Sequence, residues 1–329
     1  MSAGVLFAIG QTPLVGLQRA FSGMPFRLFA KLEGCNPGGS IKDRAAHLII
    51  SRALETGEIG PETVVIESSS GNMGIGLAQA CAYYGLRLIC VIDPKTTSLN
   101  VNILKAYGAE VDLVSTLDPE SGEFLQARIK RVQALLDSID NSFWPNQYCN
   151  LYNPMAHHQT MHEIVTELDG KVDYLFCTTS TCGTLRGCAE YVRSRKLRTK
   201  IIAVDAVGSV IFGGRKGSRL IPGHGAAICP HLYQDDLADE VIKVSDFECL
   251  IGCRYLVQKE AILVGGSSGA ALMGFNKFKD RIPDGANCVL IFADRGERYL
   301  DTIYSDSWVI EHFGSLPVFP EALSFSRAS

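Results

Sequence analysis

The pattern that most constrains the fold of this chain is a regular alternation of short apolar runs with longer amphipathic segments. Runs such as Thr63–Glu67 and Leu86–Ile92 are typical of buried strands, whereas residues 121–138 repeat apolar side chains at helical spacing. Strands that alternate with helices form parallel sheets covered on both faces. The alternation therefore predicts an α/β protein with mostly parallel sheets, in two halves that meet near residue 150.

The composition is that of an ordinary soluble globular chain, with 47% hydrophobic and 20% charged residues among 329. A net charge of −4 gives no basic surface for nucleic acid or an anionic membrane. The first residues lack the charge and length of a signal peptide, and no apolar run reaches bilayer-spanning length. We therefore expect small-molecule partners, and neither nucleic-acid nor membrane partners.

Eleven cysteines are scattered along the chain without CxxC pairs, which favours reduced thiols and a cytoplasmic location over a disulfide framework. Cys249 and Cys253 lie one helical turn apart, but no second pair accompanies them, so we interpret them as buried thiols. His158 and His162 have i, i+4 spacing without a third ligand or an HExxH pattern. We expect no metal site.

Four turns rich in small residues follow predicted strands, where the ligands of open parallel sheets bind. The first turn, Asn36–Ser40, leads into a helix that begins near Lys42. Ser40 is suited to cap this helix. The helix dipole disfavours a cation in the first turn, which favours the free amine that Schiff-base chemistry needs. On this stretch alone, Lys42 is either such an amine or a solvated helix-start lysine.

The second turn, Ser68–Asn72, offers hydroxyls and amides to a carboxylate or a phenolic oxygen, or serves only to cap a helix. The third, Thr178–Thr184, places small hydroxylated residues at a helix start, where they can cradle an anion. It lacks a P-loop lysine and GxGxxG spacing, which favours one phosphate group on a small cofactor. The fourth, Gly265–Gly269, carries two serines that can bond a ligand atom or cap a helix.

Taken in order, these segments resemble the fold type II pyridoxal-phosphate enzymes, the cysteine synthase and cystathionine β-synthase family. The likeness spans roughly residues 8–308, and its blocks are Gly10–Leu14, Lys31–Glu33, Asn36–Arg44, Ser70–Asn72, Gly265–Gly269 and Asp294–Tyr299. The resemblance implies two three-layer α/β/α domains, a smaller one over 39–150 and a larger one over 1–38 plus 151–329. It also implies pyridoxal 5'-phosphate as cofactor and a homodimer.

The resemblance assigns roles to positions of this chain. Lys42 would form the Schiff base with the cofactor, Asn72 would bond its phenolic oxygen, and Ser267 would face its pyridine nitrogen. The residues that would hold the cofactor phosphate are Ser180, Thr181, Cys182, Gly183 and Thr184. The residues that would contact the amino-acid substrate are Ser69, Ser70, Gly71, Gln147 and the backbone around Gly223. Arg128 and Arg186 are candidate partners for anionic substrate groups, or ordinary surface charges.

Some positions depart from the family's usual pattern. Ser180 and Cys182 replace glycines of the phosphate loop, and Ser69 and Met73 stand where threonines are usual. The stretches Gly208–Gly213, Pro222–Ala226 and Arg298–Trp308 resemble a narrower branch of the family. Members of that branch join O-phospho-L-serine to L-glutamate, giving N-(2-amino-2-carboxyethyl)-L-glutamate, a precursor of 2,3-diaminopropionate for siderophores.

The resemblance therefore predicts a β-replacement enzyme of amino-acid biosynthesis in which Lys42 is the general base. Three alternatives stay open. They are a cysteine synthase that uses O-acetylserine or O-phosphoserine with sulfide, a serine or threonine dehydratase, and a catalytically silent binding protein. The intact Lys42 and Asn72 argue against the last.

Overall fold

The computed structural model describes residues 4–318, which contain ten strands and nine α-helices. The strands are β1 (Leu14–Gly16), β2 (Arg27–Leu32), β3 (Val64–Ser68), β4 (Arg87–Ile92), β5 (Glu110–Leu113), β6 (Ser142–Phe143), β7 (Tyr174–Thr178), β8 (Lys200–Ala206), β9 (Glu240–Val244) and β10 (Asn287–Phe292). The helices are α1 (Lys42–Glu55), α2 (Asn72–Tyr84), α3 (Ser98–Ala106), α4 (Phe124–Ser138), α5 (Tyr152–Glu167), α6 (Gly183–Ser194), α7 (Asp246–Glu260), α8 (Gly266–Phe278) and α9 (Asp306–Phe313).

Residues 4–318 divide into two compact units, one made of residues 4–9 and 36–156, the other of residues 10–35 and 157–318. These limits differ from the predicted 39–150 mainly at the N-terminus, where residues 4–9 fall in the first unit. The reason is a close contact, because a Cβ on Gly4 would lie 2.3 Å from Oη of Tyr83 in α2. Tyr152 and Ala156 also pack against the apolar core of the first unit.

The first unit is built on a four-stranded sheet in the order β5-β4-β3-β6, and all its strand pairs are parallel. Strand β3 is buried along its whole length, as its apolar run predicts. Helices α1 and α2 approach each other closely, since a Cβ on Gly76 would lie 3.0 Å from that of Ala46. The Ala- and Gly-rich sequence of α2 therefore permits dense packing beneath the turn that precedes it.

The second unit contains a six-stranded sheet in the order β1-β2-β10-β7-β8-β9. Its strand pairs are parallel except for β1, which runs antiparallel to β2. Edge-to-face contacts of Phe176 with Phe275 and Phe278 centre its core. Helices α7 and α8 touch through glycines, because a Cβ on Gly252 would lie 2.3 Å from the carbonyl oxygen of Gly269. Parallel strands under helices confirm the predicted α/β class.

Two ion pairs lie in the interior of the second unit. The fully buried Lys31 ammonium is 2.9 Å from the Glu163 carboxylate and donates to the carbonyl of Thr12 at 2.5 Å. The fully buried Asp205 carboxylate accepts a hydrogen bond from Lys243 at 2.6 Å. Each buried charge therefore has an oppositely charged neighbour, which offsets part of its desolvation.

Candidate active site

Lys42 is the first residue of α1, and its backbone position is fixed by the turn before it. The Ser40 hydroxyl accepts a hydrogen bond from the Lys42 N–H at 3.2 Å, as expected of a helix cap. The Gly38 N–H donates to the Asp43 carboxylate at 2.6 Å, and a Cβ on Gly38 would lie 2.7 Å from that carboxylate. The glycine is thus required for the turn to close onto the helix, with the Lys42 side chain half-buried.

The Ser68–Asn72 turn leads from the carboxyl end of β3 into α2. The Ser69 hydroxyl accepts a hydrogen bond from the Gly74 N–H at 2.9 Å, which orders the turn against the helix start. Asn100 donates to the Ser70 carbonyl at 3.1 Å, and Arg128 lies 3.4 Å from the Ser70 hydroxyl. The structure thus brings two predicted substrate residues, Ser70 and Arg128, into contact.

Arg128 is mostly buried on α4, and Asp93 at the end of β4 lies 3.2 Å from its Nε. The guanidinium is therefore not an ordinary surface charge, which was one of the two interpretations of the sequence. Arg186, the other candidate, pairs with Glu190 one turn along α6 at 2.7 Å. That i, i+4 pair is typical of a helix surface.

Glu67, the penultimate residue of β3, is fully buried and was not identified from the sequence. Its Oε1 accepts hydrogen bonds from the Ser68 N–H at 2.8 Å and the Trp144 indole N–H at 3.1 Å. Its Oε2 accepts from the N–H of Gln147 at 3.4 Å. Burial raises the pKa of the Glu67 carboxyl to about 7, although these N–H donors and the nearby Arg128 lower it. The feature of the sequence that could have identified Glu67 is an acidic residue inside the otherwise apolar strand sequence that begins at Val64.

The Thr178–Thr184 turn joins β7 to α6 in the second unit, and most of its side chains are buried. Thr179 donates to the Asp205 carboxylate at 2.9 Å. Cys182 precedes the helix with φ 65°, a left-handed conformation that favours glycine, so the cysteine is strained where the related loops have glycine. Amides and hydroxyls at a helix start are the kind of donors that bind a phosphate group, which is the role predicted for this turn.

Thr184 is also contacted by a histidine that was not identified as a site residue from the sequence. The fully buried His157 lies with Nε2 3.3 Å from the Thr184 hydroxyl and with Nδ1 3.3 Å from that of Thr160. His158 pairs with Glu190, and His162 bonds the Tyr191 hydroxyl. No cluster of three or more potential metal ligands occurs among the residues that the structure describes.

Ser267 and its neighbour Ser268 lie in the first turn of α8, and the surroundings of their hydroxyls differ. The Ser268 hydroxyl accepts a hydrogen bond from the Ala293 N–H at 3.0 Å, which links α8 to the end of β10. Ser267 as a residue is 7% exposed, and no hydrogen bond joins its hydroxyl to another group within residues 4–318. A Cβ on Gly265 would lie 2.1 Å from Asp294, so this turn needs glycine. A ligand nitrogen is a suitable partner for Ser267, and the residues of this unit therefore fit the predicted cofactor.

Gly223 lies exposed in the irregular segment between β8 and β9, with a left-handed φ of 73°. The segment is fixed nearby by a hydrogen bond from the Gly225 N–H to the Thr179 carbonyl at 2.7 Å. His224 points inward and is fully buried, and burial lowers the pKa of its imidazole to about 4. The backbone around Gly223 is thus held against the Thr178–Thr184 turn within the second unit.

Comparisons with known proteins agree with this geometry. A family model described as pyridoxal-phosphate dependent enzyme matches residues 5–294. The chain is 44% identical over 310 residues to N-(2-amino-2-carboxyethyl)-L-glutamate synthase from Ralstonia nicotianae, covering 94% of this chain and 91% of the relative.

Solved structures show the same fold. Cysteine synthase from Entamoeba histolytica is 32% identical with a TM-score of 0.87, covering 98% of this chain and 94% of that one. O-acetylserine dependent cystathionine β-synthase from Helicobacter pylori is 33% identical with a TM-score of 0.85, covering 93% and 99%. No helix within residues 4–318 has the length and apolar character to cross a membrane. The predicted fold type and cofactor are confirmed, and the chain belongs to the family of pyridoxal-phosphate dependent enzymes.

Proposed function

We propose that this enzyme joins O-phospho-L-serine to L-glutamate by β-replacement, giving N-(2-amino-2-carboxyethyl)-L-glutamate and phosphate. The observation that carries the proposal is the 44% identity, over 94% of the chain, to the synthase named for that product. The product would feed 2,3-diaminopropionate synthesis for siderophores or related compounds. We also propose that the enzyme is cytoplasmic and a homodimer, with its smaller domain over 39–150 carrying the reactive lysine.

In this proposal Lys42 holds the cofactor through its amine and then moves the substrate Cα proton as general base. Its place at the start of α1, where the helix dipole favours a neutral amine, supports the role. Asn72 orients the phenolic oxygen from the start of α2. The cofactor supplies the electron sink that makes the Cα proton removable.

The second unit would hold the phosphate group and the ring nitrogen of the cofactor. The proposed phosphate ligands are the backbone amides and hydroxyls of Ser180, Thr181, Cys182, Gly183 and Thr184. Ser267 would donate to the pyridine nitrogen, and its mostly buried place in the first turn of α8 supports this role. A neutral serine there does not force that nitrogen to be protonated, which suits β-replacement better than transamination.

The first unit would bind the amino-acid substrate. Ser69, Ser70 and Gly71 offer hydroxyls and amides to its α-carboxylate, together with the side chain of Gln147. Arg128 is the cation that contacts this turn, and its bond to Ser70 supports a role toward an anionic substrate. The backbone around Gly223 would line the site as well.

A second candidate function is cysteine synthesis from O-acetylserine or O-phosphoserine with sulfide. It is favoured by the 32% identity to cysteine synthase at a TM-score of 0.87. Against it stand the higher identity to the glutamate-using synthase and the serines at positions 69 and 180.

The deciding experiment supplies purified holoenzyme with O-phospho-L-serine and either L-glutamate or sulfide, and identifies products by mass spectrometry. We expect N-(2-amino-2-carboxyethyl)-L-glutamate and phosphate from the glutamate reaction. Product with sulfide alone would replace the proposal by cysteine synthesis. Pyruvate without any nucleophile would indicate a dehydratase instead.

A further inference from the structure

Gln147, which the proposed function places against the substrate carboxylate, is held through its backbone from two sides. Its N–H donates to Oε2 of Glu67, and its carbonyl accepts a hydrogen bond from the Asn153 side chain at 2.7 Å. Glu67, Gln147 and Asn153 are all buried. Asn146, directly before Gln147, has a left-handed φ of 45°, which asparagine tolerates better than most residues. The backbone of Gln147 is therefore held more firmly than that of an ordinary surface loop residue.

The Glu67 carboxylate also bonds the serine turn after β3, which is the other segment proposed to bind the substrate carboxylate. Its Oε1 accepts from the N–H of Ser68, one residue before Ser69. The same oxygen accepts from the indole of Trp144, three residues before Gln147. One carboxylate thus bonds both the serine turn after β3 and the segment that carries Gln147, which lies 80 residues further along the chain.

The chemistry of this arrangement is specific for a carboxylate. Three N–H donors point at two oxygens, and an ionised carboxylate can accept all of them. A glutamine at position 67 can keep the two bonds made to Oε1, but its amide N–H₂ then faces the N–H of Gln147. Glu67→Gln therefore removes the bond to Gln147 with little change in shape.

We propose that Glu67 is a positioning residue that holds the serine turn and Gln147 in register to grip the substrate α-carboxylate, with Asn153 securing the other side of Gln147. The inference rests on the proposed function, because it takes the carboxylate-binding role of Gln147 from there. Glu67 itself acts through Ser68 and Gln147.

The test compares binding of L-serine with binding of L-serine methyl ester, which lacks the carboxylate. Each ligand is titrated into cofactor-loaded enzyme, and the change in the visible absorption of the bound cofactor is followed. We expect Glu67→Gln to weaken L-serine binding about tenfold, as for one lost oriented hydrogen bond, and to leave ester binding unchanged. Glu62→Gln, an exposed glutamate before the same strand, is the matched control and is expected to change neither.

A double-mutant cycle distinguishes positioning from general loosening of the fold. Gln147→Ala is expected to cause a loss at least as large as Glu67→Gln, and the double variant to bind L-serine no worse than Gln147→Ala alone. Additive losses, or equal losses for serine and ester, would overturn the inference. Asn153→Ala gives the same test should the Glu67 variant fail to fold, with the same expected selectivity for the carboxylate.

Failure of the inference and failure of the proposed function give different results. Wild-type enzyme that binds neither L-serine nor O-phospho-L-serine through its cofactor contradicts the proposed function. Wild-type enzyme that binds L-serine, together with a Glu67→Gln variant of equal affinity, contradicts the role of Glu67 alone.

Discussion

Buried charged groups with different kinds of partner can be compared at Lys31 and Asp205 in the second unit and at Glu67 in the first. In the second unit, the fully buried Lys31 and Asp205 each face an oppositely charged partner within 3 Å. In the first unit, Glu67 is buried as deeply, but its hydrogen-bond partners are neutral N–H groups. Loss of a partner in the second unit would leave an uncompensated charge, whereas Glu67 can take up a proton instead. The comparison thus sets charges fixed by an ion pair against a carboxyl group that can change its protonation state.

The largest effect is expected from a substitution in the first unit that removes the proposed reactive amine. Lys42→Ala is expected to lower product formation from O-phospho-L-serine and L-glutamate by at least about a thousandfold, because both cofactor attachment and proton transfer are lost. Product mass and the visible cofactor band measure it, and urea unfolding checks that the fold is kept. Lys105→Ala, an exposed lysine of the same unit, is the control. Turnover that survives Lys42→Ala would move the chemistry to another residue.

The second-largest effect is expected from a variant of the second unit that removes the cation paired with Asp205. Lys243→Met leaves the Asp205 carboxylate buried without its cation, although the Thr179 hydroxyl still donates to it, and we expect the free energy of unfolding to fall by about 3 kcal/mol. Urea unfolding measures the loss. Adding Asp205→Asn is expected to recover part of it, since the orphaned charge is then gone. A Lys243→Met protein as stable as wild type would show that the pair does not compensate a desolvated charge.

A smaller effect follows from the pKa of Glu67. The unfolded carboxyl titrates near its usual 4.5 and the folded one near 7, so the folded state binds more protons between these values. Stability from this group is therefore complete below pH 4.5 and is lost as the pH rises through 7. Between pH 5 and 8, wild type should lose on the order of 2 kcal/mol more unfolding free energy than Glu67→Gln. Parallel pH profiles in urea unfolding would contradict this.

The smallest effect is expected at an exposed ion pair of the first unit. Arg87 and Glu110 join neighbouring strands at 2.8 Å, with both side chains more than half exposed. Arg87→Ala should change the unfolding free energy by no more than about 0.5 kcal/mol, because water screens the pair. A loss of unfolding free energy as large as that expected for Lys243→Met would show that burial does not determine how much these ion pairs contribute to stability.

What could be predicted from the sequence was local. The strand and helix around each small-residue turn follow from hydrophobic periodicity and capping, so α1, α2, α6 and α8 begin close to their predicted residues. For helix α5 the sequence predicts a helix around 157–168, whereas the helix begins earlier, at Tyr152. Pro154 stands in its first turn, where proline is tolerated because no intrahelical N–H bond is lost.

What could not be predicted depends on contacts between distant parts of the chain. Glu67 is bonded by Trp144 and Gln147, which lie far along the sequence, and His157 lies against the distant Thr184. The left-handed backbone of Cys182 breaks a local preference, so no propensity rule indicates it. The roles of the predicted site residues stay predictions until the variants are measured.

The pairing of β2 with β10 has a consequence for how the protein is made. These parallel neighbours are 260 residues apart, from Arg27 to its partner Asn287, and the first unit is encoded almost entirely between them. At a synthesis rate of roughly 5–20 residues per second, β2 waits on the order of 10 to 50 seconds for its neighbour. The first unit can complete its sheet during that delay. A chain truncated before β10 would be expected to leave β2 with an open edge, exposed to aggregation.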